Sequence, residues 1–381
     1  MTSGGCLSGK LIVLGVSGSI AATETVKLCH ELRRQGATVQ AVMSDAARGI
    51  VNPEALVYAT GRPVITACTG LVEHVVYCGE GGQGDLLLIA PCTANTIGKI
   101  AAGIDDTPVT TFATTAIGRG MPVVIAPAMH ESMYRHPAVR ENLRRLESFG
   151  ITVIPPKVEE QRAKVADTGD IVLYTERAAG RGTLRGKSVL VTSGACREPL
   201  DDVRVLTTRS TGLMGRAVAL EAFRLGADVT VVHRDTFPCV RNIAVSSADE
   251  MAEAVLDFCR THPIDFYISA AAISDFSPQR IAGKIPSGKE VTVQLKPLPK
   301  LLSAVASTCE GNPKIVAFKL GNDEEERARQ MIDGGVAMVV INAPGVMGSV
   351  GGTFVIMTGI EREELESSKE DLAVALWKKL L

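Results

Sequence analysis

The sequence predicts an α/β protein of two domains, each built on a mostly parallel sheet, and three observations carry that expectation. Strand-length apolar runs alternate with helical periodicity from residue 11 onward. The alternation stops after ITVIPP (151–156) and restarts at residue 187. Both halves also open alike, SGKLIVLGVSGSIAA and RGKSVLVTSGACREP, with a small-residue turn closing the first strand. Strands covered by helices on both faces lose polar alternation and read as continuous apolar runs. A chain of 381 residues is also long for a single core.

In the first half, LIVLGV (11–16) reads as a strand, residues 20–35 as a helix, and TVQAVMS (38–44), LLLIAP (86–91) and PVVIAP (122–127) as further strands. Residues 157–186, rich in Lys, Arg, Glu, Asp and Gly and ending RAAGRGTLRGK, read as a linker. The second half begins with the strand and glycine turn of KSVLVTSGA (187–195). It continues through a helix over about 213–225, the strand ADVTVVH (227–233), a helix at 248–260 and the strand DFYISAAA (265–272). The expected domains are residues 1–182 and 183–381.

Charged residues at 22% and hydrophobic ones at 46% describe an ordinary globular chain. A net charge of -2 argues against general nucleic-acid affinity, which needs clustered Lys and Arg. No apolar run approaches the roughly 20 residues of a bilayer span, and MTSGGCLSGK passes directly into a strand without a signal-type apolar region. Nine cysteines stand singly, with no CxxC pair, as reduced thiols do. Together these features give the expectation of a cytoplasmic protein with no nucleic-acid or membrane partner.

In GVSGSIAA (15–22), Ser17 and Ser19 flank Gly18 and Ile20 begins a helix, an arrangement suited to a phosphate at a helix N-terminus. A turn that merely tightens a strand-to-helix junction is the alternative. The GxGxxG spacing fails, because no glycine stands at 17 or 20, which disfavours NAD. Two more strand ends follow: APCTANTIGKIAAGIDD (90–106), which presents Thr93, Asn95 and Thr96, and VVIAPAMHESMY (123–134), which presents Met129.

SGSIAA, the PxTANT turn with KIAAGI, and PAMxxxMY, in that order, resemble the homo-oligomeric flavin-containing Cys decarboxylases over roughly residues 8–175. The resemblance implies a flavodoxin-like or Rossmann-like sheet and an FMN held by Gly15, Ser17, Gly18, Ser19, Ile20, Ser44, Pro91, Thr93, Ala94, Asn95, Thr96 and Met129. It also implies a catalytic histidine ahead of the PxTANT strand, which is His74 in LVEHVVYCG. An imidazole titrates near neutrality and suits proton transfer. In the family, FMN oxidises the cysteine thiol toward a thioaldehyde, carbon dioxide leaves, and the hydride returns. Two positions depart from the bacterial pattern: His130 replaces an asparagine, and EEQRAKVAD (159–167) lacks the family's loop cysteine. His130 keeps a donor for a carboxylate, and Lys164 is a candidate proton donor in place of the thiol.

In the second half, Arg197 and Arg204 offer guanidinium forks for phosphate or carboxylate, and Ser210, Thr211 and Gly212 form a hydroxyl-rich turn before a helix. REPLDDVR and STGLMG, within residues 188–232, are similar to the diagnostic motifs of the phosphopantothenate–cysteine ligase domain. SAAAISDFSPQRIAGKIPSGK (269–289), AFKLGN (317–322) and VVINAPG (339–345) match later segments of that Rossmann-like domain. By this resemblance, substrate and nucleotide are bound by Gly194, Arg197, Arg204, Thr208, Ser210, Thr211, Gly212, Ser269, Ala270, Ala271, Asp275, Lys284, Lys300, Phe318, Lys319 and Asn342. Lys284 would stabilise charge during carboxyl activation. Thr208 stands where bacterial members have asparagine, and QMIDGGVAM (330–338) lacks their lysines, with Lys319 a candidate substitute.

The order of the two resemblances is that of the bifunctional decarboxylase–ligase of coenzyme A biosynthesis, and PAMHESMY with RAKVAD is similar to its archaeal branch. The implied substrates are 4'-phosphopantothenate, cysteine and a nucleoside triphosphate, CTP or ATP, with Mg2+. The ligase product would feed the decarboxylase. The implied assembly is a homo-oligomer, with trimeric flavin halves and dimeric ligase halves. Alternative readings are an active ligase beside a half that only binds flavin, an FMN protein such as a flavin prenyltransferase fused to an unrelated domain, and a non-enzymatic regulatory relative.

Overall fold

The computed structural model describes residues 5–159, 162–288, 290–321, 324–346 and 348–381. Its contacts divide the chain into Met1–Arg181 and Gly182–Leu381. Among the described residues, no helix is long and apolar enough to cross a membrane.

The first unit is built on five parallel strands in the spatial order Thr38–Met43, Leu11–Val16, Leu86–Cys92, Val123–Pro127 and Thr152–Val153. Numbered along the chain this is 2-1-3-4-5, the flavodoxin-like order. Ile12, Leu14 and Val16 enter one buried cluster, while Val13 enters another with Leu87 and Ile89, so both faces of the sheet are covered. That double coverage is why Leu86–Cys92 is buried at every position and reads as an unbroken apolar run. The chain reverses direction around the first strand, and the crevice beyond the strand ends at such a switch point is where open α/β sheets bind ligands.

The stretch 157–186, expected as a linker, is largely ordered structure belonging to this unit. Lys157–Glu159 and Arg162–Lys164 pair as an antiparallel hairpin, and Thr168–Ala179 is a helix. Its Ile171 and Val172 join the cluster of Leu14 and Leu32. The charges that gave the segment its linker-like composition lie mostly outside this helix, in KVEEQRAKVAD before it and at Arg181 and Arg185 after it, and within it Glu176 is buried. The helix expected over 20–35 is a 3-10 turn, Ile20–Glu24, followed by an α-helix, Thr25–Arg34.

The second unit carries an eight-stranded sheet. Six parallel strands lie in the spatial order Arg241–Ala244, Asp228–His233, Ser188–Thr192, Phe266–Ser269, Lys314–Leu320 and Met338–Asn342. Counting these strands alone, the order is 3-2-1-4-5-6, the Rossmann arrangement. Gly351–Met357 and Arg362–Ser368 then extend it antiparallel. The last strand, REELESS, is an edge strand with its charges outward, which keeps it unreadable as a strand and protects the edge from further pairing. The helix Lys369–Leu380 packs on Leu213–Arg224. Its Trp377 is buried and donates its indole N–H to the Val218 carbonyl at 3.0 Å.

Candidate functional sites

Beyond the strand ends of the first unit lies a cleft of about 520 Å³, a volume within the range of cofactor sites. Ser19, Ser44, Thr93 and Thr107 all line it, and each is the N-cap of a helix or 3-10 turn. Each N-cap side chain accepts a hydrogen bond from a backbone N–H of its own first turn, the Thr93 hydroxyl from Thr96 N–H at 3.2 Å for example. Further first-turn N–H groups have no helical partner, and an anion in the cleft would meet them at the positive helix ends. Four helix starts therefore converge on one cleft. A Cβ on Gly18 would stand 2.4 Å from the Ala46 Cβ, so only glycine lets the two loops close there.

Of the residues expected to hold a flavin, Gly18, Ser19, Ser44, Thr93, Ala94, Asn95, Thr96 and Met129 line this cleft. Gly15, Ser17, Ile20 and Pro91 stand apart from its lining. Gly15 is inside the first strand, where a Cβ would meet Val109 at 3.1 Å. Ser17 is buried and welds two turns together, donating to the Pro91 carbonyl at 2.8 Å and accepting Thr93 N–H at 3.0 Å. Pro91 follows a cis peptide bond. Ile20 is 78% exposed. The sequence reading missed Asp45, Lys99, Asp106, Thr107 and Met133 in the lining. Lys99 binds Asp106 at 2.7 and 2.8 Å, a contact made to the loop beyond the end of the helix Ala94–Ala102.

His74 belongs to the helix Glu73–Cys78, outside the cleft lining. Its ring meets Phe112 edge-on at 6.5 Å between centroids, and its Nδ1 is buried without a hydrogen-bond partner among the described residues. Thr69 donates to Glu73 through both N–H and hydroxyl, at 2.8 and 2.5 Å, and holds that carboxyl below its usual range. Val72, a β-branched residue, sits at φ 48 just before this helix, a strained conformation that tends to mark function. His130 is exposed and caps the short helix Glu131–Tyr134 through Nδ1, 3.0 Å from the Ser132 hydroxyl. The side chain of Lys164, and Glu160 and Gln161 of the same loop, lie outside the described residues.

The second unit has a smaller cleft, about 140 Å³, again beyond the strand ends. Ser210, Thr211, Gly212, Ala270, Ala271, Phe318, Lys319 and Asn342 line it as expected. Asn342 Oδ1 is a buried acceptor without a donor among the described residues, the kind of orphan that a ligand N–H or O–H would satisfy. Gly194 and Gly212 both take positive φ and pack together, a Gly212 Cβ standing 3.3 Å from Gly194 Cα. Asn322 and Lys289, within the motifs above, lie outside the described residues.

Gly194, Arg197, Arg204, Thr208, Ser269, Asp275, Lys284 and Lys300 stand outside that lining. Arg197 and Lys284 are exposed. Thr208 adjoins the cleft, its hydroxyl 3.5 Å from Ser210 N, and Ser269 ends its strand just before Ala270. Asp275 and Lys300 pair with each other. Arg204, expected as a fork for a ligand, spends Nη1 inside the protein, 2.6 Å from Asp201 and 3.2 Å from the Ile285 carbonyl. Asp201 also accepts the N–H groups of Ile285, Val203 and Arg204, and these bonds hold its carboxyl far below the usual range.

The sequence reading missed Lys369, which lines the cleft while only 6% exposed. Its ammonium donates to the carbonyls of Ser349 at 2.6 Å and Val346 at 3.3 Å, and burial pushes its pKa down. At the start of a helix and buried, this lysine is electrostatically unfavourable, and the neighbouring Glu370 offsets the burial only in part. An anion in the cleft would relieve it. Among the described residues no group of three metal-ligating side chains is assembled.

The family model described as Flavoprotein matches residues 1–180, and that described as DNA/pantothenate metabolism flavoprotein C-terminal domain matches residues 184–381. The coenzyme A biosynthesis bifunctional protein CoaBC of Thermococcus kodakarensis is 44% identical over 98% of this chain and 95% of its own length. The protein of that name from Vibrio cholerae is 36% identical over 84% of this chain and 83% of its own, and that from Methanocaldococcus jannaschii 34% identical over 98% and 94%. Among solved structures, the C-terminal domain of a CoaBC protein is 26% identical, covers 52% of this chain and 96% of its own, and superposes with a TM-score of 0.45. The FMN-dependent cysteine decarboxylase SpaF is 30% identical, covers 46% and 99%, and has a TM-score of 0.41.

Proposed function

This chain belongs to the family of bifunctional coenzyme A biosynthesis proteins, CoaBC, and on that premise we propose how its two halves divide the work. Residues 183–381 join 4'-phosphopantothenate to cysteine, and residues 1–182 decarboxylate the resulting 4'-phosphopantothenoylcysteine to 4'-phosphopantetheine. The observation that carries the reading is that each half ends its own parallel sheet in a cleft lined by eight of the residues that the corresponding motifs single out as binding.

In the ligase half, the substrate carboxylate attacks the α-phosphate of CTP or ATP and releases pyrophosphate. The amine of cysteine then attacks the acyl carbon and releases the nucleoside monophosphate. Ser210, Thr211 and Gly212, ahead of the helix Leu213–Arg224, offer hydroxyls and first-turn N–H groups to an anion. Phe318 supplies a stacking face, Asn342 Oδ1 accepts from the nucleotide, and Lys284 and Lys369 carry positive charge to phosphate oxygens. Mg2+ enters with the triphosphate, as that ion usually does.

In the decarboxylase half, the converging helix starts and the Gly18 contact fit FMN, with its phosphate on the N–H groups near Ser19, Ser44 and Thr93. Bound FMN supplies the redox chemistry of the cysteine moiety. His74 holds or moves a proton at Nδ1, the atom left without a partner. Met129 and Ala128 provide an apolar wall, and His130 offers Nε2 to the substrate carboxylate. Leu71, Val72, Val75 and Val76, 75%, 47%, 44% and 39% exposed, form an apolar strip around His74. The strip supports association of this half with further copies, one of which would shield His74 from water; trimeric flavin halves and dimeric ligase halves rest on the family resemblance.

A second reading, an active ligase beside a half that holds flavin without turnover, is favoured by one observation: EEQRAKVAD (159–167) has no cysteine. FMN uptake and turnover separate the possibilities. The purified chain is expected to be yellow, or to become so on adding FMN; a colourless protein that refuses FMN sinks the flavin assignment.

A further inference from the structure

We infer that Asp201 and Asp202 are positioning residues for Lys284, fixing the peptide on both sides of that lysine and acting on ligation through it. The inference rests on the reading of Lys284 as the cation that meets the activated carboxylate.

Gly283 and Ile285 flank Lys284, and each has both of its backbone polar groups tied to the segment 201–204. Gly283 N–H donates to Asp202 Oδ2 at 3.1 Å, and the Gly283 carbonyl accepts Asp202 N–H at 3.2 Å. Ile285 N–H donates to Asp201 Oδ2 at 3.0 Å, and the Ile285 carbonyl accepts Arg204 Nη1 at 3.2 Å. Arg280 adds a bond to Asp202 Oδ1 at 2.9 Å, and Ile281 N–H reaches the Leu200 carbonyl at 3.0 Å. The Lys284 side chain remains exposed between these anchors.

This geometry gives the acidic pair of REPLDDVR a job distinct from binding substrate. A lysine on a free loop samples many positions, and a misplacement of about 1 Å at a reacting centre can cost about a hundredfold in rate. Pinning the peptide before and after Lys284 leaves only side-chain rotation to be ordered when a ligand arrives. Asp201 suits the task because its side chain is enclosed and accepts three N–H groups and a guanidinium, so its charge is fully matched. The same segment continues through the strand Val205–Thr207 to the Ser210–Gly212 turn that lines the cleft. One short stretch of chain thus holds both the hydroxyl turn and the lysine loop.

The test is a double-mutant cycle in the full chain, measuring kcat and KM for pyrophosphate release from 4'-phosphopantothenate, cysteine and whichever of CTP or ATP is used. In D201N, Oδ1 still accepts the Val203 and Arg204 N–H groups, while the amide nitrogen replacing Oδ2 can accept neither Ile285 N–H nor Arg204 Nη1; the lesion falls on both ties between Ile285 and the 201–204 segment. D201N is expected to lower kcat about 10- to 100-fold and to have almost no further effect in a K284Q background, which is the non-additivity of groups acting as a unit. Asp202 is half exposed, so D202A provides the same cycle without touching a buried carboxylate, with a smaller loss of about 3- to 10-fold that again vanishes beside K284Q. Wild-type ligation in D201N and D202A, or losses that multiply with that of K284Q, overturn the inference while leaving the role of Lys284 intact. Wild-type ligation in K284Q alone overturns both.

Discussion

Ser17 and Pro91 join the first strand's turn to the third strand's turn: the Ser17 hydroxyl donates to the Pro91 carbonyl at 2.8 Å and itself accepts Thr93 N–H at 3.0 Å. The serine is 1% exposed, and within its phosphate-type motif it holds the two turns together. Ser17→Ala leaves Thr93 N–H without its acceptor and is expected to cost about 1–3 kcal/mol of stability. FMN affinity should fall about tenfold as the Thr93 turn loosens. Urea unfolding and absorbance titration with FMN measure the two effects; unchanged values for both would contradict this account of Ser17.

His74 and Lys284 lie in separate units, and substitutions at them should separate the two activities. His74→Asn is expected to abolish release of carbon dioxide while pyrophosphate continues to form, and Lys284→Gln to do the reverse when phosphopantothenoylcysteine is supplied. Wild-type-like decarboxylation by the first variant, or ligation by the second, would remove the corresponding assignment.

Asn342 carries its Oδ1 buried and without a donor among the described residues, a cost that a ligand would repay. Asn342→Leu should therefore raise the melting temperature of the ligand-free protein, since an unsatisfied acceptor costs about 1–3 kcal/mol. It should also raise KM for the nucleotide. A stability–function trade of opposite signs is the signature of a binding residue; a loss of stability with unchanged KM would make Asn342 structural.

Acid should release the Asp201 bonds. Its folded pKa lies below the ordinary value, chiefly because Ile285 N–H and the neighbouring amides favour the carboxylate. The stability it contributes is thus fully present above the unfolded value of about 3.9 and is lost as pH falls through the folded value. Wild-type protein and D201N should differ in urea midpoint near neutrality, with the gap closing progressively as pH falls below about 4. A gap that stays constant across that range would contradict the assignment.

The parallel strands were legible because burial on both faces leaves continuous apolar runs, as in LLLIAP, and because turns at their ends use small and hydroxylated residues, as at Gly18, Thr93 and Ser210. The helix Thr168–Ala179 was hidden by the charged stretches on either side of it, and the strand Arg362–Ser368 by lying at an edge. Lys369 was illegible for a different reason: in SSKED it reads as an exposed helix start, and only the closing antiparallel strands and the loop carbonyls of Val346 and Ser349 bury it. Arg204, a residue type suited to phosphate, also has a partner that the sequence did not announce, the nearby Asp201.

The most direct measurement is mass spectrometry of the products formed by the purified chain from 4'-phosphopantothenate, cysteine, Mg2+ and either CTP or ATP. The account predicts 4'-phosphopantetheine, with pyrophosphate and carbon dioxide released in step. A reaction that halts at 4'-phosphopantothenoylcysteine in the presence of FMN would contradict the decarboxylase half, and the absence of either product would contradict the account as a whole.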